Sequence, residues 1–251
     1  MTTSPVIEVR NAVKKFNSIT ALDKLDFDLY PGEVVALIGD NGAGKSTLVK
    51  VISGVHRLDG GQLLLGGKPA EFSSPRDAKH QGIETVHQDL ALAPHLNVVE
   101  NMYLGREVLQ RQPWGRLGFM QKNAMASHAE TVLKELGVKI RAPKSPVGAM
   151  SGGQRQGVAI ARAISWTDKV LILDEPTSAL GVEQTGNVLN NIRRVRERGI
   201  AVIFISHTMP HVMEVSDRVQ VLRRGRRVAS LKTSETSMDE LVAYMTGAVA
   251  A

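Results

Sequence analysis

Three short stretches hold residues whose types and spacing can do chemistry. Gly39-Asp40-Asn41-Gly42-Ala43-Gly44-Lys45-Ser46 fits the spacing G-x-x-x-x-G-K-[ST]. Its glycines let backbone N–H groups close around β- and γ-phosphate oxygens without Cβ clashes. Lys45 neutralises phosphate charge, the Ser46 hydroxyl can ligate Mg²⁺, and Thr47 continues the same turn. Val170-Leu171-Ile172-Leu173-Asp174-Glu175 buries four apolar residues and leaves two carboxylates at the end of a strand. Ligands of open α/β sheets bind at such ends. There Asp174 would hold Mg²⁺, and Glu175 would polarise an attacking water as general base. In Met150-Ser151-Gly152-Gly153-Gln154, Ser151 and Gln154 have capping-box spacing, so a helix starts here with exposed N–H groups suited to an anion. The purely structural alternatives are a glycine-rich turn, an acidic turn before Pro176 and a well-capped helix.

These stretches need elements to hold them. Val34 to Ile38 reads as a buried strand ahead of the glycine loop. Lys45 to Val55 reads as the helix behind it, with Leu48, Val51, Ile52 and Val55 on one face. Further strands are expected over Val6 to Val9, Leu25 to Leu29, Gln62 to Leu65, Ile83 to His87, Val170 to Leu173 and Ala201 to Ile205. Val219 to Leu222 and Val228 to Leu231 look like a hairpin around Gly225. Helices are expected over Gln121 to Leu136, Gln154 to Ser165, Gly186 to Arg198 and Ser237 to Met245, the last with Ser237-x-x-Glu240 as a capping box. Apolar strands alternating with helices predict an α/β sheet covered on both faces. The region from Asn97 to Ile164 lacks strong strands and reads as a helical subdomain, with Gln110 to Gly118 as a loop.

Composition narrows the classes. The chain has 251 residues, 31 Lys plus Arg against 25 Asp plus Glu, a formal charge of +6 and no cysteine. A disulfide framework, a zinc ribbon and a thiol nucleophile are therefore excluded. The 43% hydrophobic content is that of an ordinary globular protein rather than a disordered one. Val34 to Ile38 and Ala201 to Ile205 are among the longest apolar runs, far below the roughly 20 residues of a membrane-spanning helix. Met1 to Arg10 lacks a signal-peptide layout. The basic balance leaves nucleic acid, an anionic membrane surface or a polyphosphate ligand as partners.

The continuation Arg155-Gln156-Gly157-Val158-Ala159-Ile160-Ala161-Arg162-Ala163 makes Ser151 to Gln154 specific. It resembles the signature of ATP-binding cassette (ABC) ATPases, placed just ahead of the acidic strand. The resemblance runs from about Val6 to Gly247. It implies a P-loop NTPase, RecA-like core with an antiparallel β subdomain and an inserted helical subdomain. On that pattern 1–251 is one cassette, with 6–96 and 165–247 as nucleotide-binding core and 97–164 as helical subdomain. Phe16 resembles the aromatic that stacks on adenine. Gln88 resembles the glutamine that links Mg²⁺ and the attacking water to the membrane partner. His207 resembles the switch histidine at the γ-phosphate. Two positions depart from the pattern: Met150 stands for the usual leucine, and Gly181 for the usual aspartate.

Gln88 to Pro94, Glu100 to Glu107, Ala179 to Val182 and Tyr244 to Gly247 resemble, more narrowly, the ATP-binding subunits of bacterial ribose-, xylose- and fructose-type importers. The resemblance implies ATP and Mg²⁺ as cofactors. It implies a second copy as partner, since ATP lies between the phosphate loop of one subunit and the signature of another. A transmembrane permease would dock near Gln88 to Gly105, and a sugar-binding protein would act indirectly. The subunit would sit peripherally on the cytoplasmic face of the membrane. An importer of amino acids or another small solute is the first alternative. A nucleic-acid ABC protein is the second, motivated by the pI near 9.6, although nucleic acid is not the expected partner. Arg193 to Arg198 reads as a solvated helix face, and Arg223 to Arg227 as a basic cluster at a hairpin tip.

Overall fold

A computed structural model of the chain describes residues 4–138, 140, 144–178 and 180–249. Ala179, the first residue of the Ala179 to Val182 stretch, lies outside them. The chain divides into two compact units. The first comprises residues up to 85, 167–176 and 189 onward; the second comprises 86–166 and 177–188.

The first unit begins with β1 (Ile7–Phe16), β2 (Ile19–Leu29) and β3 (Val34–Gly39). The glycine loop then leads into α1 (Lys45–Ile52), followed by β4 (Gly60–Leu65), β5 (Lys68–Pro69), α2 (Pro75–His80) and β6 (Ile83–Val86). The second unit carries α3 (Val98–Tyr103), α4 (Lys122–Glu135) and α5 (Gly152–Trp166). The chain continues with β7 (Val170–Asp174), α6 (Val182–Glu197), β8 (Ala201–Ile205) and α7 (Met209–Val215). It closes with β9 (Arg218–Arg223), β10 (Arg226–Lys232) and α8 (Met238–Thr246).

The strands form a four-stranded antiparallel sheet, ordered β2-β1-β4-β5, and a six-stranded sheet, ordered β10-β9-β3-β8-β7-β6. In the larger sheet β3 runs parallel to both β8 and β9, and β7 runs parallel to β8. All of β3 and β8 is buried, as expected for strands covered on both faces. This explains their unbroken apolar runs and puts the ends of β3, β7 and β8 on one edge. The two sheets and α1 share a core. Ile7, Phe27, Leu37, Leu48, Ile52 and Ile203 all belong to it and are nearly fully buried. Each such side chain contributes about 1.5–3 kcal/mol of transfer free energy.

Several element ends differ from the sequence reading: β1 runs on to Phe16 rather than ending at Val9, and β2 starts at Ile19 rather than Leu25. Helix α1 stops at Ile52, because Gly54 turns the backbone to φ 76°, and Val55 is exposed rather than on the apolar face. Helix α6 starts at Val182, not Gly186. In the second unit Asn97 caps α3 in a reciprocal pair: Glu100 N–H donates to Asn97 Oδ1 at 3.0 Å, and Asn97 N–H to Glu100 Oε2 at 2.9 Å. Among the described residues no helix is long and apolar enough to cross a membrane.

Candidate functional site

The glycine loop sits between β3 and α1, as its spacing requires. Gly39 and Gly44 adopt φ 151° and 106°. A Cβ on Gly39 would lie 2.3 Å from the Leu222 carbonyl oxygen, and one on Gly44 2.8 Å from that of Ala21. Both glycines are thus needed for backbone shape and close packing together. Gly44 caps α1 without a side-chain hydrogen bond. The first N–H groups of α1, including those of Ser46 and Thr47, therefore keep their anion-binding capacity. Asn41 N–H donates to Asp40 Oδ1 at 2.7 Å, and Gly42 and Asn41 face outward as exposed residues.

Lys45 is buried, and its Nζ donates to the carbonyls of Gly39 at 2.6 Å and Asp40 at 3.1 Å. Burial pulls its pKa below the ordinary lysine value, while Glu175, Asp40 and Asp174 push it back up. The ammonium is thus held among acidic groups and carbonyls, in a place where phosphate oxygens would be better partners.

Asp174 and Glu175 end β7, as the sequence requires. Glu175 takes the left-handed φ of 52°, which costs a side chain of this size about 1–3 kcal/mol. Its N–H donates to the Ile205 carbonyl at 3.0 Å, which ties the strained residue to the end of β8. Two residues beyond Ile205, His207 brings Nε2 to 3.3 Å from Glu175 Oε1. Burial raises the Glu175 carboxyl above the usual range. The charge and backbone N–H of His207 oppose that shift, Asp174 adds to it and Lys45 opposes it. Asp40, Lys45, Asp174, Glu175 and His207 thus converge in the first unit.

Phe16, at the end of β1, is 40% exposed, so it is not a core residue. Its ring meets His56 edge-on at 5.1 Å, and Lys14 Nζ lies 5.6 Å from its centroid. One face of an exposed ring backed in this way suits stacking on a planar base.

Gln88 and the Ser151 to Gln154 stretch belong to the second unit. Gln88 is exposed, two residues past β6. Ser151 N–H donates to Gln154 Oε1 at 3.1 Å, and Gln154 N–H to Ser151 Oγ at 3.3 Å. This reciprocal capping box opens α5 with Ser151 and Gly152 exposed. A Cβ on Gly181 would come within 2.6 Å of Gln184 Oε1, so an aspartate there would require Gln184 to move.

Sequence reasoning missed several supports of the site. Arg162 on α5 donates to the carbonyls of Ala91 at 2.8 Å and Leu90 at 2.9 Å. Asn101, fully buried, accepts from Ala93 N–H and donates to the carbonyls of Ala93, Leu96 and Asn97. Together they fix the segment after Gln88 to α3 and α5. In the first unit Gly225 N–H donates to the Ala43 carbonyl at 3.0 Å, so the β9–β10 turn braces the glycine loop. The same turn disperses its basic cluster, because Arg226 pairs with Asp23 and Arg227 with Asp28.

A groove of about 1060 Å³ runs between α3 and α4. Val98, Tyr103, Leu104, Met125, Ala129 and Leu133 supply its apolar lining, and Glu100, Glu107, Lys122 and Lys134 also line it. Only one wall comes from the expected Gln88 to Gly105 region; α4 supplies much of the other.

Residues 22–178 match the family model described as ABC transporter. The fructose import ATP-binding protein FrcA of Rhizobium meliloti is 48% identical over 250 residues, covering 99% of this chain and 96% of that protein. Ribose import ATP-binding protein RbsA 1 of Rubrobacter xylanophilus is 42% identical over 97% of this chain, which spans 47% of that longer relative. Among solved structures, the ADP conformation of the ATP-binding cassette MJ1267 superimposes with a TM-score of 0.80 at 26% identity, covering 97% of this chain and 96% of the other.

Proposed function

Because the chain belongs to the ABC transporter family, we propose that it is the ATP-hydrolysing subunit of an importer, coupling ATP turnover to monosaccharide uptake through a separate permease. One observation carries the hydrolytic part: the strained, half-buried Glu175 carboxylate at the end of β7, 3.3 Å from His207 Nε2 and beside the loop lysine that would hold the phosphates. The import ATP-binding proteins among its relatives support the cargo class.

In this reading the N–H groups from Gly39 to Thr47 and the Lys45 ammonium hold the nucleotide phosphates, with Phe16 against the adenine. Lys45 exchanges its carbonyl partners for phosphate oxygens. Glu175 orients and deprotonates the attacking water, and His207 contacts the γ-phosphate. Among the described residues no group of three or more His, Asp or Glu side chains could cage a metal. The donors on offer are the oxygens of Ser46 and Asp174, with Gln88 assigned a contact by the family pattern. A hard cation that keeps water and phosphate ligands fits such a set, so Mg²⁺ is the metal these residues would hold. Bound there, it would neutralise developing phosphate charge.

Ser151, Gly152, Gly153 and Gln154 would bind the γ-phosphate of a nucleotide held by a second copy, making two equal sites in a dimer. ATP then closes the dimer, and loss of the γ-phosphate contacts opens it. The α3–α4 groove would receive a cytoplasmic helix of the permease. The subunit would accordingly work peripherally, at the cytoplasmic face of the membrane, without nucleic acid as a partner.

Glu175 must be ionised to act as base. Its pKa is raised by burial, so turnover should fall as pH drops, along a limb lying above the ordinary carboxylate value of about 4.3. A kcat–pH profile at saturating ATP measures this; activity flat down to the ordinary carboxylate range would count against Glu175 as base. The cargo is tested by reconstituting the chain with its permease and screening binding-protein–sugar pairs. A monosaccharide-loaded binding protein should stimulate ATP hydrolysis. Stimulation only by amino-acid or other solute pairs would reassign the cargo.

A further inference from the structure

Residues 104–122, from the end of α3 to the first residue of α4, present a surface that the nucleotide chemistry does not use. Of the thirteen large hydrophobic side chains exposed among the described residues, six lie here: Leu104, Val108, Leu109, Trp114, Leu117 and Phe119. Nearly half of the exposed apolar side chains thus fall in one short stretch, and Trp114, Leu117 and Phe119 are 54%, 69% and 52% exposed. The stretch is built rather than frayed. Gln110 N–H donates to the Phe119 carbonyl at 2.8 Å, and Gln121 N–H to that of Val108 at 2.7 Å. Trp114 and Phe119 stack edge-to-face with ring centroids 5.9 Å apart. Interleaved with these side chains are Arg106, Arg111, Arg116 and Lys122 against a single acidic residue, Glu107, a net charge of +3.

Soluble surfaces seldom leave a concentration of exposed apolar side chains of this kind without a partner. Trp, Phe and Leu beside Arg are the side chains of a membrane–water interface, where rings sit at headgroup level and guanidinium groups reach phosphate. We propose that this loop docks on an anionic phospholipid surface. Trp114, Leu117 and Phe119 enter the headgroup boundary, and Arg111 and Arg116 pair with lipid phosphates. Charge selects lipid over the permease as the occupant. Cytoplasmic loops of membrane proteins are themselves enriched in Lys and Arg and would repel a +3 loop. An anionic leaflet attracts it, by about fivefold in affinity per basic residue near the surface.

The loop also springs from the groove. Leu104, Glu107, Met120 and Lys122 line the groove and flank the exposed residues. If the groove receives the permease, the loop lies on the membrane side of its unit. That placement rests on the function proposed above; the lipid chemistry does not. One short apolar loop gives weak, reversible attachment, which suits an orienting contact rather than an anchor.

The test is flotation of the purified chain at physiological salt with vesicles of phosphatidylcholine, alone or mixed with phosphatidylglycerol. The chain should co-float with the mixed vesicles and hardly at all with the neutral ones. Arg111→Gln with Arg116→Gln should weaken binding to mixed vesicles by about 25-fold, two basic residues' worth. Trp114→Ser with Leu117→Ser and Phe119→Ser should abolish it, and both variants should keep wild-type ATP affinity as proof of folding. The fluorescence of Trp114 should shift to the blue with mixed vesicles, a shift missing in Trp114→Phe. Absence of co-flotation, or equal co-flotation of wild type and variants, overturns the proposal. If the chain ignores both vesicles while the serine variant loses permease stimulation in detergent, the patch is a protein contact and the lipid assignment is wrong. No permease is present during flotation, so failure there leaves the transport reading standing, and failure of sugar stimulation leaves the lipid result standing.

Discussion

Glu175→Gln is expected to keep ATP binding and to lose turnover by about 10²- to 10⁴-fold, the usual worth of a positioned base. The amide is nearly isosteric, so the turn at φ 52° and the N–H bond to Ile205 survive the change. What disappears is the ability to take a proton. Glu175 also shares its corner with Asp174, whose negative charge raises its pKa. Neutralising Glu175 therefore relieves like-charge repulsion and should not harm the binding of an anionic nucleotide. Steady-state hydrolysis measured beside nucleotide affinity separates the two effects. Near-normal turnover would leave Glu175 as a strained turn residue and remove it from the chemistry.

Lys45→Ala should act on the other quantity. Charge-assisted hydrogen bonds are worth about 1.5–3 kcal/mol, so ATP affinity should fall by about 10- to 100-fold. Turnover should be lost with it. The lysine is buried, with the carbonyls of Gly39 and Asp40 as hydrogen-bond acceptors, and burial lowers its pKa. An ammonium kept in so costly a place is explained by phosphate, which repays its desolvation. Isothermal titration with ATP measures the change, and an unchanged affinity would count against the phosphate-loop role of Lys45.

Local patterns were readable where neighbouring residues carry both the signal and the consequence. The glycine loop, the acidic end of β7 and the Ser151–Gln154 cap are each contiguous, and their geometry follows from backbone rules. The cap on α3 was equally local, with Asn97 and Glu100 at capping-box spacing, yet its six residues are too short to show a hydrophobic period. Helix α7 was hidden by Pro210, which is compatible with a helix only because it stands in the first turn. Supports that join distant residues left no pattern. Arg162 reaches carbonyls 71 and 72 residues away, and Gly225 braces Ala43 across a gap more than twice as long. The order β2-β1-β4-β5 likewise depends on β1 choosing β4 as its second neighbour, which alternation cannot encode. The division that joins residues 177–188 to the second unit is set by three-dimensional contacts and has no compositional mark.

In the proposed mechanism ATP closes two copies of this chain around composite sites, each built from the phosphate loop of one copy and the Ser151 to Gln154 stretch of the other. Light scattering on Glu175→Gln tests it most directly, because that variant should hold ATP without consuming it. With ATP and Mg²⁺ the measured mass should be twice the 27.2 kDa of one chain, and with ADP it should return to one. A Glu175→Gln chain that binds ATP yet keeps the mass of a single copy at all nucleotide concentrations would contradict the account.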